Sequence, residues 1–253
     1  MTSTRRRTDR HLLRLLPVFI AVGMTAACSG NEAALPRPLT VDEASRLAGT
    51  MHGNHLAGSA RFDVNTVDGP GGSALRLTGP IDWTNSTGAA AVSSAAAEST
   101  LVAVAWKGNA VLERRPVHDE LLEGLGVSSP PWLARPIDPS RRIDQVISVV
   151  AGLATTQPEN AILLQQKEGT AFLRSDTLRD IKVDVMRYGS RSIFWVDNET
   201  GQLLRFEGNT ESGSQPVIVD FFPAAGASPG FPSAGQVVNT TGRPELAALL
   251  SGN

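Results

Sequence analysis

Cys28 is the only cysteine among 253 residues, and it follows the small residues Thr25, Ala26 and Ala27. A lone thiol rules out an internal disulfide and any cluster of thiolate ligands, so its chemistry is that of a single nucleophile. His52 and His55 flank Gly53-Asn54 and could bring two imidazoles together. No carboxylate or third histidine follows at a spacing that completes a zinc site. Serines are numerous, yet no G-x-S-x-G elbow occurs, and His118 stands in no sequence-defined relation to any of them. The glycine-rich fingerprints that cradle nucleotide phosphates are absent as well. Asp119, Glu120 and Glu123 read as a solvated acidic edge, and Arg141-Arg142 as a solvated pair or a contact for an anionic head group. These residues make no catalytic constellation, hold no metal and call for no cofactor. The expectation is a protein that works without catalysis.

The surroundings of Cys28 say what its thiol is for. Arg5, Arg6, Arg7 and Arg10 precede the uncharged run Leu15 to Ala27, the order of charged region, apolar region and small-residue cleavage zone in an export signal. Thirteen uncharged residues fall short of the roughly 20 needed to cross a bilayer as a helix, so the run reads as a removable signal. Thr25-Ala26-Ala27-Cys28 resembles the lipobox of bacterial lipoproteins, with threonine where that family usually has leucine. The resemblance implies that residues 1–27 are removed and that the Cys28 thiol receives a diacylglyceryl group. Residues 28–38, rich in small residues and proline, then form a tether to the extracytoplasmic face of the cell membrane. Removing residues 1–27 takes five arginines and Asp9 from the 23 basic and 25 acidic residues, leaving 18 and 24, a formal charge of −6. An acidic body of this kind has no polycationic surface for nucleic acid.

The elements that must carry any further function begin near Leu39. With 41% hydrophobic and 19% charged residues, residues 39–253 suffice for one globular domain. Thr40 with Glu43 three residues on is a capping box, and Val41, Ala44, Leu47 and Ala48 share a helical face. Residues 61–65 and 74–78 alternate apolar and polar across the turn 68–72 and read as a hairpin. The alanine-rich stretch 89–97, residues 101–106 and 110–114 add two or three strands, although alanine is a poor strand former. Residues 117–125 suggest a short helix, and Ser129-Pro130-Pro131-Trp132 a break. Asp138-Pro139-Ser140 opens a helix through Ala154, with Ile143, Val146, Ile147 and Val150 on one side. Strands are expected at 162–166, 170–174, 181–185, 192–196, 202–206 and 217–221. A proline-rich loop then runs over 223–232, and a last helical turn over 244–250. About ten short strands joined by tight turns give an α+β fold, with a strongly curved antiparallel sheet, a half-barrel, packed on one or two helices.

Trp195-Val196-Asp197 followed by Thr200-Gly201-Gln202-Leu203-Leu204-Arg205 is similar to the hairpin of LolA/LolB-like bacterial lipoproteins and their actinobacterial relatives of the LppX/LprG type. The resemblance implies a hollow between sheet and helices that binds or shuttles the acyl chains of lipid or glycolipid. The apolar positions expected to line such a hollow are Phe62, Val64, Leu75, Leu77, Val183 and Val185. Small side chains at 89–97, Ala103 and Ala105 would leave room for it. Trp83, Trp106, Trp132 and Trp195 could stand at its mouth. If the inner side is filled by the protein's own side chains, the alternative is a lipid-anchored interaction module without a small ligand.

Overall fold

The computed structural model describes residues 35–67, 72–94, 97–209, 216–224, 226 and 228–251. The export signal, Cys28 and most of the 68–72 turn lie outside them. In chain order the elements are α1 (Val41–Ala57), β1 (Ser59–Val67), β2 (Ala74–Asp82), β3 (Thr87–Ser94), β4 (Ala97–Lys107), β5 (Ala110–Arg114), α2 (Asp119–Gly124), β6 (Trp132–Pro136), α3 (Arg142–Gly152) and α4 (Ala161–Gln166). They continue with β7 (Ala171–Leu178), β8 (Ile181–Tyr188), β9 (Ser192–Asp197), β10 (Leu203–Asn209), β11 (Pro216–Pro223), β12 (Val237–Asn239) and α5 (Pro244–Ser251).

The twelve strands form one open sheet in the order β12-β6-β5-β4-β3-β2-β1-β11-β10-β9-β8-β7. Only β12 against β6 is parallel; the other neighbouring pairs are antiparallel. β1 alternates buried and more exposed residues along its length, as does β2, so each presents one apolar side inward. That inner side is covered by three helices rather than one or two. Ala44 and Leu47 of α1, Val146, Ile147 and Val150 of α3, and Leu164 of α4 share one core with Phe62, Val64, Leu77, Val104 and Val219 of the sheet. A smaller cluster joins Leu122 of α2 and Leu246 and Leu250 of α5 to Leu133 of β6.

The capping box forms as the sequence requires: the Thr40 hydroxyl accepts the Glu43 N–H at 3.3 Å and the Glu43 carboxylate accepts the Thr40 N–H at 2.8 Å. The helix runs through Gly49 and Gly53 to Ala57, and tertiary bonds hold its last turn. Asn54, buried, donates to the Leu153 carbonyl at 2.7 Å. Residues 162–166, expected as a strand, are helical because the Asn160 side chain accepts the Ile162 and Leu163 N–H groups and nucleates a turn. Trp132, expected in a break, opens β6. α3 starts at Arg142, and Asp138 instead closes a turn on Ser140.

Residues 89–94 of the alanine-rich stretch lie in β3, where small residues serve close approach. A Cβ on Gly79 would lie 1.9 Å from the Ala89 carbonyl oxygen, and one on Gly88 would lie 2.0 Å from the Trp106 ring. The Trp106 indole thus occupies the space that the small residues leave.

Candidate functional site

Four of the six residues expected to line a hollow stand together. Phe62 and Val64 on β1 and Leu75 and Leu77 on β2 all face the helices, and none is more than 8% exposed. A pocket wide enough for an acyl chain would leave such side chains open to a water-sized sphere. In this conformation they are core. Aromatic rings complete the filling: Trp106 packs 6.0 Å from Phe62, Trp83 5.5 Å from Phe221, and Phe194 edge-on to Phe206 at 5.2 Å. The Trp83 indole N–H donates to the Val150 carbonyl at 3.1 Å, pinning the end of α3 to the turn after β2.

Val183 and Val185 do not join them. On β8 the alternate residues Asp184 and Met186 face inward, Asp184 toward Arg46 of α1 and Met186 into the main core. Val183 and Val185 therefore point to the opposite side, where they pack with Leu204, Leu173, Leu178, Ile193 and Trp195. Four consecutive buried residues in β8 mean that both sides of this strand are covered, so apolar type alone does not tell the two sides apart. Trp195 lies on the outer side between two guanidinium groups, Arg174 at 5.0 Å and Arg205 at 5.4 Å from its ring centre. Arg205 in turn grips Asp220 through two bonds of 2.8 and 2.9 Å. Cys28 lies outside the described residues.

Sequence reading did not find the buried charge network beneath the β5–β6 end. Glu113, fully buried on β5, accepts from Arg115 at 2.9 Å, Arg135 at 2.9 Å and Arg141 at 3.1 Å. Arg135 also holds Asp144 of α3, at 2.7 Å through one nitrogen. Burial raises the Glu113 carboxyl, but hydrogen bonds and charge from Arg141, Arg115 and Arg135 outweigh it and keep the group below its ordinary range. Burial likewise works against the Arg135 cation, and Asp144 and Glu113 more than offset it. Arg141 and Arg142 are accordingly not a solvated pair: Arg142 is buried and donates to the Thr66 hydroxyl at 2.6 and 2.9 Å. The signal was present in the alternation of β5, which puts Glu113 on the same side as Val111. Arg115 is two residues away, but Arg135 and Arg141 come from segments that no spacing connects to it.

A polar cleft of about 410 Å³ opens at the end of the sheet, lined by Asp82, Asn85, Thr87, Lys107, Ser228 and Phe231. Asp82 is already engaged by the Asn85 backbone and side chain at 3.0 and 2.8 Å. His52 and His55 stack at 6.3 Å, with His52 Nδ1 3.2 Å from the Thr155 carbonyl. Among the described residues no group of three or more histidine, cysteine, aspartate or glutamate side chains is placed to hold a metal ion. Among them, too, no helix is long and apolar enough to cross a membrane.

No family model matches the chain, and no curated protein matches it. Solved structures with a loosely similar arrangement include an uncharacterized conserved protein from Thermus thermophilus, 10% identical, covering 75% of this chain and 94% of that one at a TM-score of 0.38. Another is the complex of MucB with MucA from Pseudomonas aeruginosa, 13% identical, covering 78% of this chain and 63% of that one at a TM-score of 0.35. A crystal structure of MucB matches at 17% identity over 76% of this chain and 62% of that one, with a TM-score of 0.33. The chain thus spans less than two thirds of the MucB chains, and at these values the likeness carries no functional information.

Proposed function

We propose that this is a lipoprotein of the cell envelope, held to the membrane through Cys28, whose folded part is a non-catalytic binding module that meets its partner on its outside. The tether reading rests on the sequence around Cys28. The binding reading rests on one observation: the apolar inner side of the sheet is already sealed by α1, α3 and α4, with Phe62, Val64, Leu75 and Leu77 closed to solvent. Recognition then falls to outward groups such as the polar cleft around Asp82 and Lys107. The test is mass spectrometry of non-covalent lipid in the full chain purified from membranes. The module predicts protein without stoichiometric lipid, and one lipid per chain would overturn it. Cys28→Ser is expected to move the protein from the membrane to the soluble fraction, and unchanged retention would overturn the tether.

A second reading is favoured by the make-up of the cover. α1, α3 and α4 are separate helices over a sheet that is not closed, so acyl chains could replace their side chains if the cover lifts. This is the carrier of lipid or glycolipid that the family resemblance implies. Bound lipid in the same measurement would establish it.

A further inference from the structure

We infer that the start of α1 together with α4 is a membrane-contact face, which rests on the bilayer holding the Cys28 acyl chains; the inference depends on the lipid anchor proposed above. Helix packing accounts for the inward residues here and leaves others unused. Leu39, Ala44, Leu47 and Leu164 go into the core. Leu35 at 86%, Val41 at 69%, Ile162 at 66% and Leu163 at 64% exposure are turned out to water. They belong to one neighbourhood. The Gln165 side chain donates to the Leu39 carbonyl at 2.9 Å, and the Glu159 N–H donates to the Ala48 carbonyl at 3.0 Å. α4 therefore lies along the first turns of α1, beside the segment that leads in from Leu35.

Chain length identifies the occupant. Leu35 is seven residues after Cys28, and seven residues span at most about 25 Å when fully extended. An acylated Cys28 cannot hold the lipid surface farther than that from Leu35. Apolar side chains of an amphipathic surface bury about 5–10 Å into the headgroup boundary, which matches a contact through a few exposed leucine, isoleucine and valine residues. Local charge is small: Arg37 and Glu43 neutralise one another across 2.6 Å, and the exposed Asp42 beside Val41 is a carboxylate that this face carries toward the lipid. A second exposed apolar stripe, Val117, Leu121 and Leu125, is interleaved with Asp119, Glu120 and Glu123. Arg114 pairs with Asp119, but Glu120 and Glu123 oppose an anionic lipid surface, which makes this stripe the internal control.

The single native cysteine makes the experiment selective, because acylation of Cys28 leaves an introduced thiol as the only one free. Full-length Ile162→Cys, Leu163→Cys and Leu121→Cys proteins would carry a polarity-sensitive dye and be reconstituted in vesicles of phosphatidylcholine and phosphatidylglycerol. Flotation with the vesicles is scored first. Protein that does not float overturns the anchor and this inference with it. For floating protein, the expected result is a blue shift, about twofold brighter emission and quenching by spin-labelled lipid at 162 and 163, with no change at 121. Equal responses at 162 and 121, or none at either, would overturn the contact face while leaving the anchor in place.

Discussion

The two ends of the helical cover are fastened by different physics. At the β5–β6 end, α3 is held by ions: Asp144 on the helix, Arg135 on β6 and Glu113 on β5 are all buried, with Arg115 and Arg141 closing the set. At the β8–β10 end, α1 is held by apolar side chains and a cap. Among the described residues its one ion pair to the sheet runs from Arg46 to Asp184; Arg37 and Glu43 brace its first turn, and Asn54 ties its last turn to the Leu153 carbonyl. A buried ion set tolerates no missing member, because the charge left behind has no water to turn to. An apolar seam loses stability in proportion to the atoms removed, and it can slide. If the cover moves, α1 with α4 is therefore the part that leaves while α3 stays, at the cost of the buried bond from Asn54 to the Leu153 carbonyl.

Four substitutions test how differently the two ends are held. Glu113→Ala strips three guanidinium groups of a shared carboxylate and is expected to cost about 3–5 kcal/mol, read as a lowered urea midpoint. A loss below about 1 kcal/mol would show that α3 is not fastened by charge. Leu47→Ala in α1 should cost about 2–4 kcal/mol by the same measurement, and hydrogen exchange should quicken in α1 before α3. Glu43→Gln is expected to cost about 1–2 kcal/mol, reduced by the exposure of Arg37.

The same carboxyl gives a pH signature. The Arg37 hydrogen bond, with the Thr40 N–H and hydroxyl, holds Glu43 down at about 2 against a desolvation that pushes it up. Because the folded value is the lower one, the stabilisation is complete above the unfolded value of 4.5 and fades as pH falls toward 2. Thermal melts of the native chain should lose this increment over that window, and Glu43→Gln should not. The smallest effect belongs to the outer side. Asp63→Asn breaks an exposed pair with Arg76, so less than about 1 kcal/mol is expected, and less still at high salt.

Local signals carried much of this fold. Thr40 and Glu43 announced the first helix, Asp197 and Gly201 the β9–β10 turn, and the alternation at 61–65 and 74–78 the central hairpin. What failed was long-range. Ile162 to Gln166 has the apolar run of a strand, and only the Asn160 cap and the place of Leu164 in the core make it a helix. Val183 and Val185 have the same residue type as Val64, but the register of β8 sets them on the other side of the sheet. The small residues near Ala89 looked like spare volume because the ring that fills it, Trp106, comes from the next strand. Glu113, Arg135 and Asp144 lie in three elements, so their pairing became visible only once those elements were packed together.

The backbone bridge between Arg37 and Phe172 reaches beyond local geometry. Arg37 gives its N–H to the Phe172 carbonyl at 3.0 Å, takes the Phe172 N–H at 2.8 Å and lays its guanidinium 4.0 Å over the ring. β7 is the outermost strand on its side of the sheet, so any mechanical load arriving along the chain ahead of Leu35 is delivered there first. Two backbone bonds and a stacked cation act as a clasp that must give way before tension reaches α1, which would be a strain relief if the chain ahead of Leu35 is the proposed leash.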